Sequence, residues 1–166
     1  CIRDRYHGGS INALSLSYRN EWMSKLADNL KAFTKLEYPN TYRTVLSDKD
    51  LLSHFESSVE AELSTGEYAC VITEAGIVTG WGSTYLAPDG YIEVIDKLCK
   101  KFNVLLILDE VGTGFSRIGS LFAIHQFKIS PDIIVLAKAI ANGTQTIAAM
   151  VTKKEVMINS YKAVSY

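Results

Sequence analysis

Three short runs of uninterrupted apolar residues constrain this chain more than any other feature. They are Ala69-Cys70-Val71-Ile72-Thr73, Val104-Leu105-Leu106-Ile107-Leu108 and Ile133-Ile134-Val135-Leu136. A strand with one wet face alternates apolar and polar residues. A strand buried on both faces reads as a continuous apolar run, and such strands belong mostly to parallel sheets covered by helices. Parallel neighbours need a crossover, and the residues between the first two runs supply one. Ile92, Ile95, Leu98, Cys99 and Phe102 form one stripe on a helix expected from about Gly90 to Phe102, with Asp89 as its cap. Strand, helix, strand over residues 69–108 is a βαβ unit. Ser47 is placed to cap a second helix over about Asp48 to Leu63, where Leu51, Phe55, Val59 and Leu63 are spaced by four and Gly66 follows the end. Tyr18, Trp22, Leu26, Leu30 and Phe33 also fall at helical spacing. The pattern predicts an α/β fold, a mostly parallel sheet flanked by helices.

Composition removes several function classes. The 166 residues include 17 basic and 18 acidic side chains, a net charge of −1, so the basic surplus of a nucleic-acid binder is missing. No apolar run approaches the roughly 18–20 residues of a membrane span, and no metal site is expected. The opening Cys1-Ile2-Arg3-Asp4-Arg5 has no initiator Met and no apolar h-region. It is expected to be the interior of a longer product rather than a signal peptide. Three cysteines are too few, too spread and odd in number for a disulfide scaffold. Cys70 and Cys99 are expected as buried, reduced thiols, which fits the cytoplasm or another reducing compartment such as the mitochondrial matrix.

Ligands of an open parallel sheet bind beyond the carboxyl ends of its strands. Those positions hold Glu74, Asp109-Glu110 and Lys138. An apolar strand ending in Asp-Glu is also the look of a Walker B segment, but the phosphate loop it needs is not in these residues. Gly112-Thr113-Gly114-Phe115-Ser116-Arg117-Ile118-Gly119 fits neither the dinucleotide fingerprint nor a nucleophile elbow; a ligand-approaching loop and a tight turn both remain open. Lys138 lies among Leu136, Ala137, Ala139, Ile140 and Ala141. Buried there, its amine would be costly unless used, and desolvation would favour the nucleophilic neutral form; on a helix start it would instead reach solvent.

Tyr6-His7-Gly8, Leu106-Ile107-Leu108-Asp109-Glu110-Val111-x-Thr113-Gly114-Phe115-x-Arg117-x-Gly119, Phe122-Ala123, Pro131-Asp132-Ile133 and Ala137-Lys138-Ala139-Ile140-Ala141-Asn142-Gly143 occur in that order, with Asp109 and Lys138 separated by 29 positions. In order and interval the set resembles the class III pyridoxal-phosphate-dependent aminotransferases, the ornithine, 4-aminobutyrate and ω-amino-acid transaminase group. The resemblance covers nearly the whole chain and implies part of the large domain of a fold-type I transferase. It implies pyridoxal 5′-phosphate as cofactor, an amino donor and a 2-oxo acid acceptor as substrates, and a homodimeric parent.

The same resemblance assigns roles. Lys138 corresponds to the lysine that holds the cofactor covalently and later moves the substrate's α-proton. Asp109 corresponds to the acid beside the pyridine nitrogen, which keeps that nitrogen protonated so the ring can accept electrons. Tyr6 corresponds to the aromatic residue stacked on the ring, with Gly8 in the same signature. Val111 corresponds to the apolar residue under the other face, and Glu74 to an acid that organises the site. His7 is either a packed imidazole behind the site or a cofactor contact.

Some positions depart from the family. Ala75 stands where proline is usual, the loop Gly76–Gly82 is slightly long, Gly112 replaces a larger side chain, and Thr144-Gln145-Thr146 replaces a glycine- and proline-rich stretch. The phosphate-binding loop and the C-terminal small domain of the family have no counterpart in residues 1–166. Alternatives are an aminomutase of the same family, a P-loop ATPase fragment using Asp109 and Glu110, and a non-catalytic scaffold.

Overall fold

The computed structural model describes residues 6–17, 33–78 and 84–164. The helical spacing between Tyr18 and Phe33 lies outside the described residues except at its last position. Helix α1 covers Ile11–Leu16 and α2 covers Asp48–Leu63. Strand β1 (Cys70–Glu74) is followed by a two-strand ribbon, β2 (Ile77–Val78) and β3 (Tyr85–Leu86), and then by α3 (Tyr91–Phe102). Strands β4 (Leu105–Asp109), β5 (Ile133–Leu136) and β6 (Ala149–Thr152) precede α4 (Lys154–Val164).

The main sheet has the order β1-β4-β5-β6, with β1, β4 and β5 parallel and β6 antiparallel at the edge. The expected mostly parallel α/β architecture is therefore present. Both acids complete their strands rather than following them, and the register sets Glu74 opposite Asp109 and Asp109 opposite Val135. Pairing across three strands thus delivers Glu74, Asp109 and the approach to Lys138 to one edge of the sheet.

Helix α2 begins where its local signals place it. Ser47 Oγ accepts the Asp50 N–H and donates to the Asp50 carboxylate, satisfying an amide the helix cannot. Phe55, Val59 and Leu63 then pack on α3, whose Ile92, Ile95 and Leu98 are fully buried over Leu106 and Leu108 of β4. Tyr91 joins this core through Phe55 and lies with its hydroxyl 2.7 Å from Thr73 Oγ1, which seats the first turn of α3 on β1.

Three expectations need correction. The cap of α3 is Gly90, at φ +87°, not Asp89; the chain enters the helix through a left-handed residue that glycine adopts without a Cβ penalty. Cys70 is exposed, because it opens the edge strand β1, whereas Cys99 is buried as expected. Burial, reinforced by Asp96, pushes the Cys99 thiol up to about 12, so it stays an inert thiol. The strands are also not buried on both faces among the described residues. Leu106 and Leu108 are buried under α3, while Leu105 and Ile107 on the other face are half-covered.

Asp132 ties the opposite end of the sheet together. Its carboxylate accepts the Leu106 N–H at 2.8 Å and the Lys153 ammonium at 2.8 Å, while its backbone bonds both Leu106 and Lys153. Burial alone would raise its pKa, but Lys153 and the Leu106 amide outweigh that and hold it below the usual aspartate range. Its stabilisation is complete above the unfolded aspartate value and is lost as pH falls through the lower folded value. Asp132→Ala is predicted to cost about 1–2 kcal/mol at neutral pH. Asp132→Asn should flatten the acid limb of stability below the usual aspartate range. Denaturant unfolding from neutral pH down through that range checks both, and an unchanged acid limb in Asp132→Asn would contradict the clamp.

Candidate active site

The carboxyl edge of β4 carries a buried acid with both oxygens engaged. Asp109 is 4% exposed. Its Oδ1 accepts the Val111 N–H at 2.9 Å, and its Oδ2 lies 2.6 Å from His7 Nδ1. An ionised carboxylate only accepts, so His7 Nδ1 carries the proton of that bond. Each oxygen keeps a further lone pair, so Asp109 retains capacity for a cationic donor. His7 Nε2 is buried with no hydrogen-bond partner among the described residues. The imidazole lies against the Asp109 carboxylate, where it can orient the acid.

Local sequence explains how His7 arrives there. Ser10 caps α1 by accepting the Ala13 N–H, and the His7 N–H donates to Ser17 Oγ at the far end of that short helix. Gly8 sits at φ +126°, and a Cβ on it would approach the Ala13 Cβ to 3.1 Å. Glycine at this position lets α1 close on the Tyr6–His7 segment. Tyr6, at the start of that segment, is 37% exposed.

Lys138 opens a short 3₁₀ turn, Lys138–Ile140, immediately after β5. Its backbone is left-handed at φ +49°, an uncommon state for a non-glycine residue and one that clusters at functional sites. The side chain is exposed, so of the two placements open for Lys138 it takes the one that reaches solvent. The reason is the open loop between β5 and β6. Lys138 borders a cavity of about 610 Å³ that Thr144, Gln145 and Thr146 also line. Glu110 N–H donates to Val135 O at 3.0 Å, which locks the Asp109 strand end to the strand leading into Lys138. Asp109, Glu74, Val111 and Lys138 therefore share one edge of the sheet, and His7 joins them through Asp109. Glu74 is 3% exposed at the end of β1, in register with Asp109.

Glu110 does not favour the Walker B alternative, in which it joins Asp109 in serving Mg²⁺ and water. Its fully buried carboxylate accepts Thr113 Oγ1 at 2.5 Å, the Ala123 N–H at 2.9 Å and the Ile124 N–H at 2.7 Å. With these donors in place the acid faces the protein interior and not a solvent-borne metal. Sequence reasoning does not find this engagement; the available signal is a Glu three residues before Thr113 in a glycine-bearing turn.

Comparison with known proteins decides the family. The family model described as aminotransferase class-III matches residues 1–162. The chain belongs to the class III aminotransferases. Among curated relatives, it is 32% identical over 158 residues to an adenosylmethionine-8-amino-7-oxononanoate aminotransferase of Anoxybacillus flavithermus, covering 93% of this chain and 35% of that protein. It is equally identical, over 160 residues, to an isoleucine 2-epimerase of Lentilactobacillus buchneri, covering 92% and 35%. An (S)-enantioselective omega-transaminase from Thermomicrobium roseum superposes with a TM-score of 0.86 at 29% identity, covering 99% of this chain and 38% of that one. A taurine:2-oxoglutarate aminotransferase from Bifidobacterium kashiwanohense, solved with PLP and glutamate, gives 0.85 at 26% identity, covering 98% and 38%. The chain spans about a third of the length of the relatives it matches.

Replacing His7 by Phe fills the volume but leaves Asp109 Oδ2 buried without its donor. We expect a loss of about 1–3 kcal/mol in unfolding free energy, the cost of an unpaired buried acceptor. A loss below about 0.5 kcal/mol in urea unfolding would show that the pair does not hold Asp109.

Proposed function

We propose that this chain is the central cofactor-binding part of a pyridoxal-phosphate-dependent transaminase, which moves an amino group between an amine or amino acid and a 2-oxo acid. The observation that carries this reading is the placement of a buried, hydrogen-bonded carboxylate and an exposed primary amine at the ends of adjacent parallel strands. The donor set fits the cofactor: an acid with capacity for a pyridinium, an aromatic side chain at the surface, and an unburied amine beside an open cavity. In this reading Asp109 holds the proton on the ring nitrogen, with His7 and the Val111 amide orienting its carboxylate. Tyr6 and Val111 would hold the ring between them. Lys138 Nζ would hold the cofactor covalently and would serve as the base that moves the substrate's α-proton. When bound, the cofactor supplies the ring that accepts the electrons released with that proton.

The parent protein supplies the phosphate-binding loop, the small domain and a second copy of itself in a homodimer. Its compartment keeps Cys99 reduced. Reaction class is tested in the whole protein that carries this chain, with a ¹⁵N-labelled amine and a panel of 2-oxo acids. Label should appear on the acceptor's carbon; inversion of the donor with its nitrogen retained would overturn transamination. Asp109→Asn keeps the shape but loses the charge that holds the ring proton. Its half-reaction rate should fall by at least about 100-fold, roughly 2.7 kcal/mol of barrier. A change below about threefold would show that Asp109 does not hold the ring proton.

A further inference from the structure

Between the two site residues Asp109 and Val111 sits a side chain to which the reaction gives no role. Glu110 is 0% exposed, and a buried carboxylate is expensive unless its oxygens are satisfied. Three donors satisfy it, and none is a cation: Thr113 Oγ1, the Ala123 N–H and the Ile124 N–H. The last two belong to the first turn of the 3₁₀ helix Ala123–Gln126, so the acid caps the element at the far end of the loop that follows it. Its backbone is pinned as well. The Glu110 N–H donates to Val135 O at 3.0 Å, and its carbonyl accepts the Gly114 N–H at 2.8 Å.

The loop so held does not relax by itself. Phe115 and Ser116 are successive non-glycine residues at φ +60° and +66°. A Cβ on Gly114 would fall 2.8 Å from the Glu110 carbonyl and against the Phe122 ring. Such backbone states persist only where their surroundings over-determine them. The Glu110 carboxylate supplies that constraint from one side, and the strand-to-strand bond to Val135 supplies it from the other.

We propose that Glu110 is a positioning residue for the transamination site. Its carboxylate ties the 111–124 loop to the end of β4, which fixes the Val111 amide on Asp109 Oδ1 and fixes both against the strand that leads to Lys138. This rests on the transaminase reading above and adds to it a residue that touches neither cofactor nor substrate. Small displacements at a reacting centre cost rate steeply.

The test uses the whole protein. Thr113→Val removes one donor with little change of shape, Glu110→Gln places an amide where one N–H already points, and Ile95→Val is a core truncation away from the site. In the cofactor-free protein, amide exchange of the segment 109–124 should quicken in Thr113→Val and not in Ile95→Val. In the loaded protein, Thr113→Val should lower kcat about tenfold with the donor KM within about twofold. The pH midpoint of the cofactor's visible absorbance should move in Thr113→Val and Glu110→Gln and stay fixed in Ile95→Val. Equal exchange, kcat and midpoint in Thr113→Val and the parent would overturn the proposal, as would losses matched by Ile95→Val. If Glu110→Gln does not fold, Thr113→Val decides alone. A parent that shows no cofactor absorbance would defeat the transaminase reading itself, while faster exchange in the unloaded segment still registers the Glu110 tether.

Discussion

The site depends first on parallel pairing in register. Glu74, Asp109 and Val135 are direct partners across β1, β4 and β5, so strands from distant parts of the chain end together. Parallel strands put all their carboxyl ends on one edge, where a ligand can meet several of them at once. A slip of one residue in β4 would turn Asp109 to the opposite face, away from His7. The core under α3 guards against such a slip, because Leu106 and Leu108 would leave their buried positions with it.

On that frame the acid and the amine are treated differently. Asp109 is enclosed and held by a side chain and a backbone amide, which under the proposed function suits a group that keeps one direction. Lys138 stands in the open on a left-handed turn, which under the proposed function suits a group that changes partners. The contrast is set by their positions. Asp109 ends a central strand and is bonded to the Tyr6–Gly8 segment through His7, and Lys138 begins the loop between a central strand and an edge strand.

What the sequence makes legible follows the range of the interactions. Helix α2 is readable to the residue because its cap and its stripe are local: Ser47 with Asp50, and Phe55, Val59 and Leu63 at intervals of four. The strands are readable as apolar runs, and Lys138 and Asp109 by their places at the ends. The Gly90 cap escapes such a reading because a left-handed entry leaves no side-chain signature, and the adjacent Asp89 looks like a better cap. The exposure of Cys70 escapes it because an edge position is a property of sheet order, which an apolar run does not reveal. Glu110 shows in the sequence only as half of an acidic pair. Its partners Ala123 and Ile124 lie 13 and 14 residues away and bind through backbone amides, which no residue type announces.

The proposed chemistry turns on the amine of Lys138 being the one bonded to the cofactor, at the sheet edge that Asp109 shares. Borohydride reduction of the whole, cofactor-loaded protein, followed by peptide mapping by mass spectrometry, tests this directly. A single phosphopyridoxyl label is expected, on the peptide containing Lys138. A label on any other lysine, or none on a protein that retains the cofactor, would contradict it.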